Sequence, residues 1–138
     1  MKISKSYVLD ANAILRFFEG RPGAERIEQL LNDARRHGHL LSMSVANLGE
    51  VFYHVWQDRG EESARRTMAN LSRLPIQVLP VDLEQSLKAG EIKALHKVPY
   101  VDCIAAALAE IRDATLVTAD RDFEKLGRRI PILWLSHA

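Results

Sequence analysis

One cysteine, Cys103, stands among 138 residues. That excludes an internal disulfide and any zinc site built from several thiolates. No apolar run approaches the roughly 20 residues that cross a bilayer as a helix. The opening stretch Met1-Lys2-Ile3-Ser4-Lys5-Ser6-Tyr7 also lacks the apolar core of a secretory signal. These absences predict a cytoplasmic protein in a reducing compartment. An excess of either charge is missing too: 19 Lys and Arg face 18 Asp and Glu, for a net charge of +1. The chain as a whole is therefore no basic nucleic-acid binder, although a local arrangement of charge can still serve that purpose. No G-x-G-x-x-G follows the first apolar run and no P-loop occurs, which excludes the common nucleotide-cofactor folds. Repeats, low-complexity stretches and linkers are absent as well.

What remains is an ordinary globular balance, 47% hydrophobic and 27% charged. A single domain over residues 1–138 fits this length and needs no disulfide or structural metal to fold. Strand and helix patterns alternate along it. Tyr7-Val8-Leu9 is a short apolar run that stops at Asp10. Ala11 to Glu19 reads as a helix with Ile14, Leu15 and Phe18 on one face, broken by Gly20-Arg21-Pro22-Gly23. A second helix spans Ala24 to His37. Leu40 to Met43 is a strand, and Ser44 is placed to cap the helix that carries Val45, Leu48, Phe52, Val55 and Trp56. After Gly60 another helix runs from Glu61 to Leu74, ended by Pro75, and Ile76 to Leu79 is the third strand. Asp82 and Gln85 have the spacing of a capping box for a helix to Leu95. Pro99 opens a helix to Arg112. Thr115 to Thr118 is a strand, Asp120 to Leu126 a short helix, and Ile132 to Leu135 the last strand. Such alternation predicts an α/β fold: a parallel sheet with helices on both faces and its site beyond the carboxyl ends of the strands.

Four acids fall where that chemistry belongs. Asp10 directly follows the first strand, and Asp120 follows the fourth by two residues. Glu50 lies off the apolar stripe of its helix, on the face of Ala46, Asn47 and His54. Asp102 begins its helix above Ala105, Ala106 and Ala109, small residues that permit close approach to another element. Two carboxylates 4 Å apart repel by about 4 kcal/mol at an effective dielectric of 20. If the four converge, a divalent cation resolves the repulsion, and oxygen-only ligands favour Mg2+ or Mn2+. Cations held in this way activate water and stabilise displacement at phosphorus.

The motifs around these acids carry a resemblance. Val8-Leu9-Asp10-Ala11-Asn12-Ala13-Ile14-Leu15 resembles the opening motif of PIN-domain nucleases. Ser44-Val45-Ala46-Asn47-Leu48-Gly49-Glu50-Val51 is similar to their second acidic motif. Tyr100-Val101-Asp102-Cys103-Ile104-Ala105-Ala106-Ala107 resembles the third, and Leu116-Val117-Thr118-Ala119-Asp120-Arg121-Asp122-Phe123 the fourth. The match runs in order along nearly the whole chain, and its size resembles the VapC-type toxins of type II toxin–antitoxin pairs. The resemblance implies a three-layer α/β/α fold with sheet order 3-2-1-4-5. It implies endonucleolytic cleavage of RNA with Mg2+ or Mn2+, a cognate antitoxin that reaches into the acidic pocket, and a homodimer. By the same resemblance Asp10, Glu50, Asp102 and Asp120 hold the metal and position the water. Thr118 is then a hydroxyl contact, Asn12 a support for the first acid, and Asp122 an additional or substitute ligand. The chain departs from the pattern at Ala11, Cys103 and Ala119, none of which removes an acid.

Simpler readings stand beside these. Asn12 is equally a helix cap, Thr118 a strand-end filler and Asp122 a surface residue. Cys103 reads as a core residue, the five histidines are scattered, and only His54 shares a face with an acid. Arg65-Arg66 and Arg128-Arg129 read as solvated pairs, whereas Arg16, Arg21 and Arg121 lie nearer the acidic motifs and suit RNA phosphates. Phe17, Phe18, Val51, Phe52, Val55 and Trp56 exceed what one core face needs and mark a candidate interface. Two rival functions remain. A haloacid-dehalogenase-like phosphatase also begins with a strand ending in Asp, but it needs an acid where Asn12 stands. A PIN-like module that only binds RNA, or a PIN nuclease that is not a toxin, is the other.

Overall fold

The computed structural model describes residues 4–136. Its five strands are β1 (Ser6–Leu9), β2 (Leu40–Ser44), β3 (Gln77–Leu79), β4 (Thr115–Thr118) and β5 (Ile132–Trp134). The helices are α1 (Ala11–Glu19), α2 (Ala24–His37), α3 (Val45–Arg59), α4 (Glu61–Leu71), α5 (Leu83–Leu95) and α6 (Tyr100–Ile111). A 3-10 turn covers Arg121–Leu126. All strand pairs are parallel, in the order β3-β2-β1-β4-β5. This is the three-layer α/β order that the resemblance implies.

Side chains alternate across the sheet and divide the core in two. Val8 and Leu116 face a cluster built from α5, α6 and the 3-10 turn, while Leu9 and Val117 face one built from α1 to α4. Helix α6 is buried from Cys103 through Ala109. Its alanines let it lie close to the sheet while its first turn, with Asp102, stays at the sheet's edge. The order reverses about β1, because the chain leaves β3 at one edge and returns beside β1 as β4. Ligands of such sheets bind at that switch point, beyond the strand ends. Asp10 and Asp120 flank it.

Several details differ from the sequence reading. Helix α4 stops at Leu71 and not Leu74, since the residue before Pro75 is pushed out of helical geometry. The capping box at α5 is half formed. Asp82 accepts from the Gln85 N–H at 2.8 Å, but the Gln85 side chain donates to the Pro80 carbonyl (3.2 Å). Of the proposed interface residues, Val51 and Val55 are core, and Phe17, Phe18 and Phe52 pack against it. Only Trp56 of that set is exposed. Arg16 is also buried, donating to the Pro22 (2.8 Å) and Ser136 (3.2 Å) carbonyls. It ties the α1–α2 turn to the segment after β5 and is not presented to a phosphate. Gly23 completes that junction at φ +100°, where a Cβ would meet that of Leu135 at 3.0 Å, so no larger residue fits without strain.

Candidate active site

The site is assembled from the ends of β1 and β4 and the beginnings of three helices. Asp10 ends β1 and caps α1: its Oδ1 accepts from the Ala13 N–H at 2.8 Å. Its Oδ2 accepts from the Thr118 hydroxyl at 2.5 Å. The Thr118 oxygen accepts in turn from the Asp120 N–H (2.9 Å), and Asp120 Oδ1 caps the 3-10 turn through the Asp122 N–H (3.0 Å). One hydroxyl thus fixes the first acid to the fourth across the switch point. The helix cap expected at Asn12 is supplied by Asp10. Asn12 Oδ1 accepts instead from the Ala119 N–H at 3.0 Å, joining α1 to the loop after β4.

Glu50 and Asp102 approach from helices. Asn47, one turn before Glu50, donates from Nδ2 to Glu50 Oε1 at 2.9 Å. Asn47 is 1% exposed and its Oδ1 is buried with no partner. The sequence marks it only as a neighbour on the Glu50 face; its i, i+3 spacing to that acid is the available signal. Asp10, Glu50, Asp102 and Asp120 all line one cavity of about 520 Å3, together with Asn12, Arg21, His54 and Gln57. The tightest grouping of three carboxylates is a different set. Single oxygens of Asp102, Asp120 and Asp122 lie within 4.8 Å of one another. Asp122 does not line the cavity; it is half-exposed and pairs with Lys125 at 3.7 Å. It therefore adjoins the site from its outer side.

The electrostatics are those of uncompensated charge. Burial pushes the Asp10 carboxyl from 3.8 up to about 7, and the charges of Asp120 and Glu50 add to this. The Thr118 and Ala13 hydrogen bonds pull the other way without reversing it. Asp102 is likewise pushed to about 7, first by burial and then by Asp120, Asp10, Glu50 and Asp122. Among the described residues the only Lys or Arg lining this cavity is Arg21, which pairs with Glu19 at 3.1 Å. An all-oxygen donor set with surplus negative charge fits a hard divalent cation such as Mg2+ or Mn2+.

The remaining candidates fall outside the chemistry. Cys103 is buried and its thiol is pushed up by burial, which leaves no thiolate nucleophile. Arg121 stacks over Trp134 at 4.6 Å and pairs with Glu124. Arg129 is not a solvated residue: it bonds Glu110 at 2.9 Å and also Glu91.

No curated protein sequence matches the chain. Solved structures do, at low identity. A chain in the crystal structure of VapBC2 from Rickettsia felis, bound to a DNA fragment from their promoter, superposes with a TM-score of 0.79 and 16% identity. The match covers 95% of this chain and 99% of that one. DNA-bound VapBC from Salmonella typhimurium gives 0.74 and 24%, over 95% and 98% of the two chains. VapC20 from Mycobacterium tuberculosis, described as a Sarcin-Ricin loop cleaving toxin, gives 0.69 and 16%, over 88% and 95%. These likenesses establish the shared fold. The model of the PIN domain family matches residues 7–129, a span that holds all four acidic motifs, and the chain belongs to that family.

Proposed function

We propose that the protein is a Mg2+- or Mn2+-dependent endoribonuclease and the toxin of a type II toxin–antitoxin pair. The observation that carries this reading is the cavity at the switch point, where burial first, and then neighbouring carboxylates, push Asp10 and Asp102 up to about 7. A protein that only bound RNA would gain nothing from such repulsion. Membership of the PIN family and a fold shared with VapBC chains supply the toxin context. That context implies a cognate antitoxin, a homodimer and a cytoplasmic RNA substrate. No helix among the described residues is long and apolar enough to cross a membrane.

In this mechanism Asp10, Glu50, Asp102 and Asp120 would hold the metal, with Asp122 beside them. When bound, a metal there would supply an activated water and offset negative charge on the oxygens of the phosphate under attack. The chain's own part is to hold its carboxylates ready. Thr118 and the Ala13 N–H each occupy one lone pair on Asp10, so one further pair on each oxygen stays available. Asn47 holds Glu50, which lines the cavity, in the same way through its Oε1. Groups that orient ligands in this way are worth 10–100-fold in metal affinity. Asn47→Ala is therefore expected to weaken Mn2+ binding by about tenfold or more in calorimetric titration. Unchanged affinity would show that Glu50 needs no such support.

The function is tested by inducing wild type and Asp10→Asn in a bacterial host and mapping RNA 5′ ends. Wild type is expected to arrest growth and leave discrete new ends, and Asp10→Asn to do neither. Equal growth and equal RNA patterns would overturn the ribonuclease reading. Where a small open reading frame lies beside the gene, rescue of growth by co-expressing it would support the toxin assignment; arrest without rescue would favour a PIN nuclease of another role.

A further inference from the structure

The wall that α3 gives the acid cavity carries more than Glu50. His54 and Gln57 follow that acid at i+4 and i+7 and line the same cavity. At 1.5 Å per residue they stand about 6 and 10 Å beyond Glu50 along the helix axis. His54 is exposed, and its ring is stacked on that of Tyr53, with centroids 4.8 Å apart and planes 25° from parallel. Tyr53 is itself 46% exposed. Two adjacent helical residues thus form a short stack of rings beside the acids. Among the described residues no hydrogen bond engages the His54 ring nitrogens or the Gln57 amide. Neither residue belongs to the core or packs against it, so packing does not account for the arrangement.

We propose that a nucleobase beside the cleaved phosphate stacks on His54, in line with Tyr53, and that the Gln57 amide bonds its edge. The proposal rests on the ribonuclease reading and adds the base contact that a metal site by itself lacks. The cavity favours a base on this wall over a phosphate. Besides the four site acids, Glu19 and Asp58 line it, and its arginine, Arg21, is paired with Glu19 at 3.1 Å. Asp58 follows Gln57 directly and pairs with Arg59 at 3.6 Å, an exposed contact that offsets little of its charge. Carboxylates this numerous repel a phosphate, whereas a base is a neutral plane. Proteins that recognise single-stranded RNA stack splayed bases on aromatic side chains, His among them, and hydrogen-bond the base edges. A primary amide offers both a donor and an acceptor, the pair that Gln presents to adenine. His54 supplies the stacking surface and Gln57, one turn further on, the edge contact.

The test is His54→Ala, with His54→Phe as the variant that keeps a ring and drops its nitrogens; the position is an exposed helical one. Cleavage by wild type first locates the cut in a labelled single-stranded RNA of about ten nucleotides. The same RNA is then made with an abasic nucleotide on one side of the cut or the other. Binding is read by fluorescence anisotropy in Mg2+, in an Asp10→Asn background that stops cleavage. His54→Ala is expected to lower affinity roughly tenfold, with the slope of log K against log salt unchanged, because no phosphate contact is lost. His54→Phe is expected to restore the affinity. On the RNA that lacks the contacted base, the loss caused by His54→Ala disappears. Gln57→Ala is expected to level the affinities for the four bases at that position. In turnover assays with Asp10 intact, His54→Ala raises KM while kcat holds. Unchanged affinity would overturn the proposal. So would a loss that persists on both abasic RNAs, or a salt slope lower by about 0.7, the share of one phosphate on a single strand. If wild type cuts no RNA, the abasic nucleotide is scanned along the strand instead. Binding that then depends on both His54 and one base sustains this inference while the nuclease reading alone fails.

Discussion

Asp10→Asn is expected to lower the rate of RNA cleavage by at least about 10³-fold while making the metal-free protein more stable at pH 8. The two effects share one cause. Asp10 is buried, and both of its neighbours in charge, Asp120 and Glu50, oppose its ionisation. An amide removes that charge at nearly constant shape. Its carbonyl can keep the Ala13 N–H, and its NH2 can donate to the Thr118 oxygen once that hydroxyl turns away. The cap on α1 survives, so the gain is not offset by a lost helix start. What disappears is a carboxylate ligand, and with it the charge that a divalent cation needs. Thermal denaturation of the chelated proteins checks the stability half, and cleavage of a labelled RNA in Mn2+ checks the other. A variant that is inactive but less stable would mean that the Thr118 bond outweighs the buried charge.

The second large effect is one of pH. Asp10 and Asp102 hold their protons to about 7 in the folded chain, against an ordinary 3.8. Between those values the folded state binds more protons than the unfolded one, so stability falls as pH rises from about 4 to about 7 and levels off above. Water still reaches Asp102, which screens its share. The summed loss is on the order of a few kcal/mol, or roughly 10 °C in Tm for a domain of this size. Metal reverses the sign of the argument. At pH 8 a divalent cation meets ionised ligands and restores the loss, while at pH 5 it has to displace protons and gains little. The chelated protein is thus expected to melt higher at pH 5 than at pH 8, and added Mn2+ to raise Tm far more at pH 8 than at pH 5. A Tm that is flat with pH in chelator would contradict the charged, crowded site described above.

Much of this site could be read before the fold was known, for identifiable reasons. Asp10 and Asp120 were legible because a strand that ends at an acid places that acid at the sheet's carboxyl edge. The helices were legible from their periodicity, and α1, α2 and α5 keep the limits read from sequence. The strand order was not contained in any local pattern, because neighbours in a parallel sheet are set by crossovers; it came from the motif resemblance alone. Local chemistry misled at Asn12, where Asp10 takes the cap and releases the amide to bond Ala119. Arg16 misled in the opposite way, since nothing in its neighbourhood announces an arginine buried on two carbonyls 6 and 120 residues away. The tight approach of Asp122 to Asp102 and Asp120 depends on how a 3-10 turn folds back after β4, which spacing alone does not give.

The most direct measurement uses purified wild type and Asp102→Asn stripped of metal with chelator, each given a labelled RNA, first without metal and then with Mg2+ or Mn2+ restored. An acid-centred, metal-dependent nuclease cuts at discrete positions only in the wild type and only after metal is added. Cleavage that persists in chelator, or that survives in Asp102→Asn, would contradict it.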